Sequence, residues 1–237
     1  MPEAPLASVA VILLTKLPQP GRVKTRLQPA LSPEAAAAVQ QAFAVHVARR
    51  LGRMGPAELV VCFDPPDAGP AMRDLLGEAC DATYLPQSSG DLGERVAAAA
   101  RVVGRLHRRL LLLGVDSPDV PTAHLAAAAR LTTEVAVSLG PTDDGGYWCL
   151  GLWNEVDADA LLVGIRWSSG HEARQTLERA DSLGYATATA PAWDDVDHPD
   201  DLARLVARLR VSTDPDDRLL LDHLTGLLPH DGDGVVP

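Results

Sequence analysis

Residues 109–119 read RLLLLGVDSPD, an apolar run followed by a glycine and a carboxylate. Its four consecutive leucines show no alternation of polar and apolar side chains, which predicts a strand buried on both faces in the middle of a parallel sheet. Pro118 stops this strand, so Asp116 falls at the mouth of the sheet. In open α/β sheets ligands bind beyond the carboxyl ends of the strands, and Asp116 is therefore a candidate ligand-site residue.

Two roles are open to Asp116. Mg²⁺ is usually held by one or two carboxylates together with substrate phosphates and water, and Asp116 has the chemistry and the position of such a ligand. The alternative is that Asp116 or Ser117 only caps the turn into the helix that begins near Pro121.

Strand and helix patterns alternate along the rest of the chain. Ser32 and Pro33 supply an N-cap and a first helical residue, Asp91 opens a helix with one apolar stripe, and residues 202–209 carry another stripe. This alternation predicts an α/β fold with a mostly parallel central sheet and helices on both faces. The expected strands cover residues 9–15, 59–64, 82–85, 109–116, 135–139, 147–153 and 185–190.

Length and charge narrow the classes of function. The 237 residues suffice for one α/β domain, which we expect at 1–210, followed by a C-terminal helix and flexible tail at 211–237. The net charge of −11 repels nucleic acid and anionic membranes at long range, so we expect neither as a partner. The apolar run at 9–14 is too short to span a membrane.

The cysteines give a further expectation about location. Cys62, Cys80 and Cys149 are odd in number and show no paired ligand spacing. Neither a disulfide framework nor a zinc site is indicated, and a reducing cytoplasm fits best.

A basic loop follows the first strand. Residues 16–27 read KLPQPGRVKTRL, which lacks the GK pair of a Walker A motif. One glycine, two prolines and the cations Lys16, Arg22, Lys24 and Arg26 nevertheless describe a cradle for an anion. The alternative is an ordinary solvated basic loop.

An acidic segment lies near residue 200. Residues 193–202 read WDDVDHPDDL and precede a short amphipathic helix, where one or two carboxylates would suffice as caps. The excess suggests that Asp197 points back to the cleft as a second metal ligand. Acidic first turns are common, so capping alone remains the alternative.

Three further segments are candidates for ligand contacts. Residues 87–95 form a polar loop that feeds a helix N-terminus and offers free backbone N–H groups. Residues 140–147 contain Asp143, Asp144 and Gly145, which form first of all a hairpin turn. Residues 167–171 can bind an anion or simply cap a helix, and His171 has no partner that would make a catalytic triad.

The motifs together resemble the bacterial DUF2064 family, also called selenodomain-associated transferase 1. More distantly, they are similar to the 2-phospho-lactate guanylyltransferases, which share a KTRL-type opening and a DVDTP-like closing motif. The match spans residues 9–209, although His198 replaces the usual threonine and the segment at 169–170 departs from the family's WST pattern. The matching stretches, in order, are KLPQPGRVKTRL, QSSGDLGERV, LLLGVDSPD, GPTDDGGYWCLGL, IRWSS and DDVDHPDDL.

This resemblance implies a glycosyltransferase-A, nucleotide-diphospho-sugar transferase fold with a single Mg²⁺ or Mn²⁺ site. By this resemblance Asp116 matches the metal aspartate after the central strand, Asp197 matches the aspartate of the closing motif, and Lys24 and Arg26 match the triphosphate-handling KTR. We expect Lys24, Arg26 and Asp116 to be catalytic. The expected nucleotide-binding residues are Lys16, Gly21, Lys24, Thr25, Arg26, Gln87, Gly90 and Arg95, and the expected acceptor-binding residues are Asp143, Asp144, Gly145, Trp167 and Ser168.

Three functions are compatible with these residues. Four cations on one loop exceed what a diphosphate requires, which favours an Mg²⁺-dependent nucleotidyltransferase that moves an NMP from an NTP to a small phosphorylated or phosphonate acceptor and releases pyrophosphate. The alternative is a glycosyltransferase with an NDP-sugar donor, in which Asp143 or Asp144 faces the acceptor hydroxyl. The third is a nucleotide-binding module that serves a partner enzyme without turnover.

The C-terminal segment lies beyond the family match. Asp214 and Pro215 start a helix with leucines along one side, before a polar tail at 229–237. We expect this helix to pack back on the domain or to mediate a homodimer.

Overall fold

The computed structural model describes residues 4–28 and 30–228, and within them seven strands form one sheet. Each strand lies where the pattern of apolar residues predicts it. Because consecutive strands are separated by helices, most pairs are parallel. The strands are β1 (Ala10–Lys16), β2 (Glu58–Asp64), β3 (Thr83–Pro86), β4 (Arg109–Leu113), β5 (Val137–Pro141), β6 (Tyr147–Trp153) and β7 (Thr187–Thr189).

The strand order is β3-β2-β1-β4-β6-β5-β7. Only β6 is antiparallel to its neighbours, β4 and β5, because a tight turn at residues 142–146 joins it to β5. The leucine-rich β4 pairs in parallel with β1 in the middle of the sheet, and all four leucines are buried. The carboxyl ends of the parallel strands and the start of β6 therefore meet along one edge.

Helices cover both faces of this sheet, as predicted. One apolar cluster joins the sheet to α1, α2, α4, α7 and α8, and a second joins it to α3, α5 and α6. A short 3₁₀ turn at Thr25–Leu27 lies in the basic loop. The helices are α1 (Pro33–Arg53), α2 (Gly69–Leu76), α3 (Leu92–Val103), α4 (Thr122–Glu134), α5 (Ala158–Leu162), α6 (Glu172–Ser182), α7 (Pro199–Val211) and α8 (Pro215–Thr225).

Local capping explains where the helices beside the site begin. The Ser32 hydroxyl accepts a hydrogen bond from the Ala35 N–H at 3.1 Å, with Pro33 as the first helical residue of α1. Asp91 and Glu94 form a reciprocal capping box at the start of α3. Both caps lie at the sheet edge where the strands end, so they fix the helix starts around the cleft.

The C-terminal helix packs against its own domain. Leu220 and Leu224 of α8 are buried in the cluster that includes α1 and α7. We propose that the domain extends through α8, beyond the boundary expected at residue 210. The predicted tail at 229–237 lies outside the described residues. No helix among those that the structure describes is long and apolar enough to cross a membrane.

A buried polar pair fastens α8 to α1. His46 Nε2 lies 3.4 Å from Asp217 Oδ1, and the Ser212 hydroxyl donates to Asp217 Oδ2 at 2.5 Å. Burial alone would raise the pKa of Asp217, but the hydrogen bonds from His46 and Ser212 and the nearby positive charges lower it below its ordinary value. The ionised carboxylate therefore stabilises the folded state.

We expect Asp217→Asn to lower the free energy of unfolding at pH 7 by about 1–3 kcal/mol, because hydrogen bonds to a charged group are lost. The folded pKa of Asp217 is depressed, so its contribution is complete above the unfolded value near pH 4 and is lost as the pH falls through the folded value. Urea unfolding at pH 7 and pH 3 measures the difference, which should shrink at pH 3. Asp222→Asn, on the exposed side of α8, is the control, and equal losses in both variants would contradict the assignment.

Candidate functional site

A cavity of about 860 Å³ opens along the edge where the parallel strands end. Its walls come from the loop after β1, the loop between β3 and α3, the loop after β4, the turn between β5 and β6, and the segment between β7 and α7. This is the edge predicted for ligand binding from the sequence. The sequence motifs separated by up to 180 residues thus converge on one cavity.

Lys24 lies at the centre of the site. Its side chain is only 4% exposed, and its Nζ lies 2.5 Å from Asp116 Oδ1 and donates to the Val196 carbonyl at 2.6 Å. The ammonium also lies 5.2 Å from the centroid of the Phe43 ring. Lys24 has φ 46° and ψ 37°, a left-handed conformation that non-glycine residues rarely adopt and that is concentrated at functional sites.

A second cation–carboxylate contact lies beside the first. Arg26 Nη1 donates to Asp197 Oδ2 at 2.7 Å, and the backbone N–H of Val196 donates to the Asp116 carbonyl at 2.8 Å. The two carboxylates expected to bind metal are therefore on adjoining segments, and the basic loop faces both of them.

Asp195 adds a third carboxylate at this point. Burial, together with the negative charges of Asp197, Asp144 and Asp116, raises the pKa of Asp195 to about 6. Asp195 forms no ion pair with any residue that the structure describes. The electrostatic field around this group of carboxylates is therefore negative and only partly compensated.

A buried clamp holds the two carboxylate-bearing segments together. Asp119, three residues after Asp116, has a side chain that is 5% exposed and accepts from Arg208 Nε at 2.5 Å and Nη2 at 3.2 Å. The Trp193 indole N–H donates to the same carboxylate at 3.1 Å, and the Arg208 guanidinium lies 5.4 Å from the Trp193 ring. This clamp fixes the segment that carries Asp197 against the loop after β4.

Arg50 fastens the same loop from the other side. This buried residue of α1 donates to the Pro118 carbonyl at 2.6 Å and to the Val120 carbonyl at 2.7 Å. Two backbone acceptors that helix and sheet leave free are thereby satisfied. The position of Asp116 is thus determined by contacts from both α1 and α7.

Charge is segregated along the cavity. We call the wall formed by the segments that follow β1, β2 and β3 the basic half. The wall formed by the segments that follow β4, β5 and β7 and by those that lead into β6 and α6 is called the acidic half. Every basic residue that lines the cavity within the described chain is in the basic half. Only one of the acidic lining residues, the α3 cap Asp91, lies in that half as well. The basic lining residues are Lys16, Arg22, Lys24, Arg26 and Arg95, and those of the acidic half are Asp116, Asp144, Glu172, Asp195 and Asp197.

The cations of the basic half differ in how far they are already engaged. Arg95 lies 3.5 Å from Asp64 and donates to the Gly90 carbonyl at 2.9 Å. Lys16 and Arg22 are exposed and form no ion pair with any residue in the described ranges. These two side chains are therefore available to an anion without breaking an internal contact.

Most of the residues predicted from the sequence line the cavity. Gly21, Asp143 and Gly145 do not. Gly21 makes a turn with φ 75°, and Asp143 is exposed in the β5–β6 turn. Gly145 has φ 90° and approaches Gly170 so closely that a Cβ atom would lie 2.0 Å from the Gly170 carbonyl oxygen, so it serves backbone packing. The lining residues are Lys16, Lys24, Thr25, Arg26, Gln87, Gly90, Arg95, Asp116, Asp144, Trp167, Ser168 and Asp197.

Many residues that line the cavity were absent from the predicted site, among them Arg22, Asp195, Tyr147 and Glu172. Arg22 belongs to the basic loop and could have been included on charge alone. Asp195 stands in the acidic segment, but only the structure shows which of its carboxylates turn inward. Tyr147 and Glu172 begin β6 and α6, where they read as ordinary core and first-turn residues.

The residues present fit a hard divalent cation. Asp116 and Asp197 supply oxygen donors from adjoining segments, the Asp116 side chain is 49% exposed to the cavity, and the surrounding carboxylates leave a negative field. Among the described residues no group of three or more His, Cys, Asp or Glu is arranged to hold an ion. A metal at this point would therefore depend on oxygen ligands from the substrate as well as from the protein.

Comparisons with known proteins agree with this fold. The model of the family DUF2064, described as an uncharacterized protein conserved in bacteria, matches residues 47–169. A crystal structure from Desulfovibrio desulfuricans G20, described as a candidate nucleotide-diphospho-sugar transferase, is 27% identical, covers 94% of this chain and 97% of its own, and has a TM-score of 0.82. The predicted fold class is thereby confirmed. No curated protein sequence matches the chain.

Two more distant structures share the fold alone. The 4-diphosphocytidyl-2C-methyl-D-erythritol synthase of Anaerococcus prevotii DSM 20548 is 8% identical with a TM-score of 0.58, covering 86% of this chain and 99% of its own. The inositol-1-phosphate CTP transferase of T. maritima is 14% identical with a TM-score of 0.53, covering 94% and 99%.

We expect Arg208→Lys to lower the free energy of unfolding by about 1–2 kcal/mol, because a lysine cannot reproduce the two hydrogen bonds of the guanidinium to the buried Asp119. Arg204→Lys is the matched control. Arg204 lies on the same helix but pairs with Asp201 at the surface, so its replacement should cost less than about 0.5 kcal/mol. Urea titrations measure both, and equal stability of the two variants would rule out the clamp.

Proposed function

This chain belongs to the DUF2064 family of bacterial proteins, and we propose that it transfers a nucleotidyl group from a nucleoside triphosphate to a small acceptor and releases pyrophosphate. The observation that carries this proposal is the segregation of charge in the cavity. All of the basic residues that line the cavity in the described chain lie in the basic half. Two of them, Lys16 and Arg22, form no ion pair with a described residue.

The number of cations favours a triphosphate donor. Lys24 and Arg26 are engaged with Asp116 and Asp197, so they position the carboxylates as well as contributing charge. Lys16 and Arg22 remain available for the outer phosphates. The pyrophosphate leaving group gains negative charge as its bond to the α-phosphorus breaks, and fixed cations at that position lower the barrier.

The bond changes follow from this arrangement. An acceptor oxygen forms a bond to the α-phosphorus, the bond from that phosphorus to the bridging oxygen of the β-phosphate breaks, and pyrophosphate leaves with the electron pair. The proton of an acceptor hydroxyl goes to water. The basic half holds the leaving group in line with the attacking oxygen, while the acidic half receives the acceptor.

A divalent ion would be held by Asp116 and Asp197. When bound, Mg²⁺ or Mn²⁺ supplies positive charge that offsets the charge developing on the phosphate oxygens. The chain's own residues prepare this point, since Lys24 and Arg26 orient the two carboxylates and the clamp of Asp119, Trp193 and Arg208 fixes the distance between their segments.

The relatives support the class of reaction. The D. desulfuricans protein is described as a candidate nucleotide-diphospho-sugar transferase, and the two more distant structures are named as a 4-diphosphocytidyl-2C-methyl-D-erythritol synthase and an inositol-1-phosphate CTP transferase. The predicted class, an enzyme of the transferase type, agrees with all three. The choice of a nucleotidyl rather than a glycosyl group rests on the charge of the basic half.

A glycosyltransferase that uses an NDP-sugar is the second candidate. It is favoured by Asp144 and Asp195, carboxylates of the acidic half that can face an acceptor hydroxyl, and by the description of the D. desulfuricans relative. In that reaction the basic half would hold a diphosphate.

One assay separates these candidates. The protein is incubated with Mg²⁺, a panel of nucleoside triphosphates and NDP-sugars, and a mixture of small acceptors. Release of pyrophosphate supports nucleotidyl transfer, and release of NDP from a sugar nucleotide supports glycosyl transfer. Binding of a nucleotide without consumption under any condition would favour the third candidate, a nucleotide-binding module.

We expect Asp116→Asn to lower Mg²⁺-dependent pyrophosphate release by about a hundredfold or more, because the variant loses a charged oxygen at the point where phosphate charge develops. Asp200→Asn removes the same charge from an exposed position of α7 and should leave the rate within about twofold. Melting temperatures of both variants check that the fold is intact. Undiminished release by Asp116→Asn would refute the proposed site.

We expect Arg22→Ala to weaken binding of inorganic tripolyphosphate with Mg²⁺ by roughly tenfold, because an unpaired guanidinium in the basic half is lost. Tripolyphosphate is a suitable probe since it carries no base. Isothermal titration calorimetry measures the affinity. Arg105→Ala, which removes an exposed arginine in the turn after α3, should change the affinity by less than about twofold, and equal losses would mean that only net charge matters.

A further inference from the structure

The proposed function leaves the acceptor open, and the acidic half bears on its chemistry. Resting on that function, we infer that the acceptor carries no negative charge: the acidic half takes an uncharged or cationic hydroxyl compound and holds it against the rings of Tyr147 and Trp167. This class of acceptor differs from the phosphorylated or phosphonate acceptor expected from the sequence.

The first ground is the absence of any partner for an anionic acceptor. Among the described residues that line the acidic half, none is basic. Arg166, His171 and Arg174 lie close in sequence to this wall but are exposed and do not line the cavity, and Arg174 pairs with Glu178. A phosphate or phosphonate group seated here would lose water without gaining a cation.

The second ground is that Asp144 and Glu172 accept hydrogen bonds from neutral groups and from no cation among the described residues. Asp144 Oδ1 accepts from the Thr142 hydroxyl at 2.5 Å and from the Gly146 N–H at 2.9 Å. Glu172 Oε1 accepts from the Ser169 N–H at 2.6 Å. Neutral donors of this kind stabilise an ionised carboxylate without neutralising it, so the field in this half repels an anion.

The cations nearest to this wall are committed elsewhere. Lys24 and Arg26 compensate Asp116 and Asp197, and a divalent ion at those two carboxylates would serve the phosphates of the donor. Neither contact extends to Asp144, Glu172 or Asp195. After the donor is bound, these three carboxylates therefore remain without a cation, and the acceptor lies in their field.

The third ground is the shape of the wall. The rings of Tyr147 and Trp167 meet edge to face, with centroids 6.1 Å apart and an interplanar angle of 68°. The Tyr147 hydroxyl and the Trp167 Nε1 are buried and have no hydrogen-bond partner among the described residues, so these two polar atoms are not exposed to the cavity that their residues line. Such a surface suits the C–H face of a hydroxylated ring or the apolar body of a cation.

Two neighbouring aspartates provide a matched pair for the test. Both are exposed on the same turn, but Asp144 lines the acidic half and Asp143 does not line the cavity. Asp144→Asn and Asp143→Asn change the net charge of the protein equally. A difference between them reports on the field inside the cavity and not on long-range attraction.

The test compares three probes that share one ring and differ in charge: 2-phenylethylamine, 2-phenylethanol and 2-phenylethylphosphonate. Ligand-observed NMR titrations give their affinities for the full chain, with Mg²⁺ and pyrophosphate present so that the basic half is filled. We expect the amine to bind at least about tenfold more tightly than the phosphonate, with the alcohol between them. Asp144→Asn should reduce that ratio severalfold, and Asp143→Asn should leave it unchanged.

Each other outcome counts against the inference. Tighter binding of the phosphonate, absence of binding by all three probes, or equal effects of the two variants would overturn it. Failure of the proposed function is recognised separately by two results. Pyrophosphate with Mg²⁺ would then not raise the melting temperature of the protein, and no triphosphate would release pyrophosphate with any acceptor. The probe titrations are repeated without pyrophosphate, so they decide the charge preference in that case as well.

Discussion

A single buried ammonium group joins the parts of this site. Lys24 contacts the carboxylate of Asp116 and the carbonyl of Val196, and it is held over the ring of Phe43. Removing an ammonium from water costs several kcal/mol unless it is paired and hydrogen-bonded, so these contacts have to form together. The loop after β1, the loop after β4 and the segment before α7 are consequently locked to one another, at the expense of a left-handed backbone at Lys24.

The sheet topology explains why this contact lies at the centre of the cavity. The order β3-β2-β1 runs outward in one direction from β1, and β4 begins the other half of the sheet beside it. The loops that leave β1 and β4 therefore diverge at a topological switch point, which opens a crevice between them. Lys24 lies on one of these loops and Asp116 on the other. Positive groups line the crevice on the β1 side and negative groups on the β4 side, so the topology also separates the charges.

Much of this arrangement follows from local patterns that a sequence displays. The four leucines of β4, the alternation of strands with amphipathic helices and the caps at Ser32 and Asp91 each specify an element without reference to the rest of the chain. The same holds for Asp116, whose place at a strand end requires only the strand. The neighbours Asp143 and Asp144 were both expected at the acceptor, yet only Asp144 faces inward, because the direction of a side chain in a turn depends on backbone angles. Asp195 was not predicted as a site residue for a related reason, since its burial arises from segments distant in sequence.

The pairing of Lys24 constrains how the two halves can work together. Its role as a phosphate ligand, expected from the resemblance, and its contact with Asp116 draw on the same ammonium group. If phosphate oxygens took hydrogen bonds from Lys24, Asp116 would lose its counter-charge, and a divalent cation would then be the natural replacement. Phosphate and metal would in that case favour one another's binding, since phosphate takes Lys24 away from Asp116 and the metal replaces the lost counter-charge. If Lys24 instead stays with Asp116, the outer phosphates depend on Lys16 and Arg22, the cations that form no ion pair within the described chain. In both cases Asp144 and Asp195 form no ion pair with any residue that the structure describes.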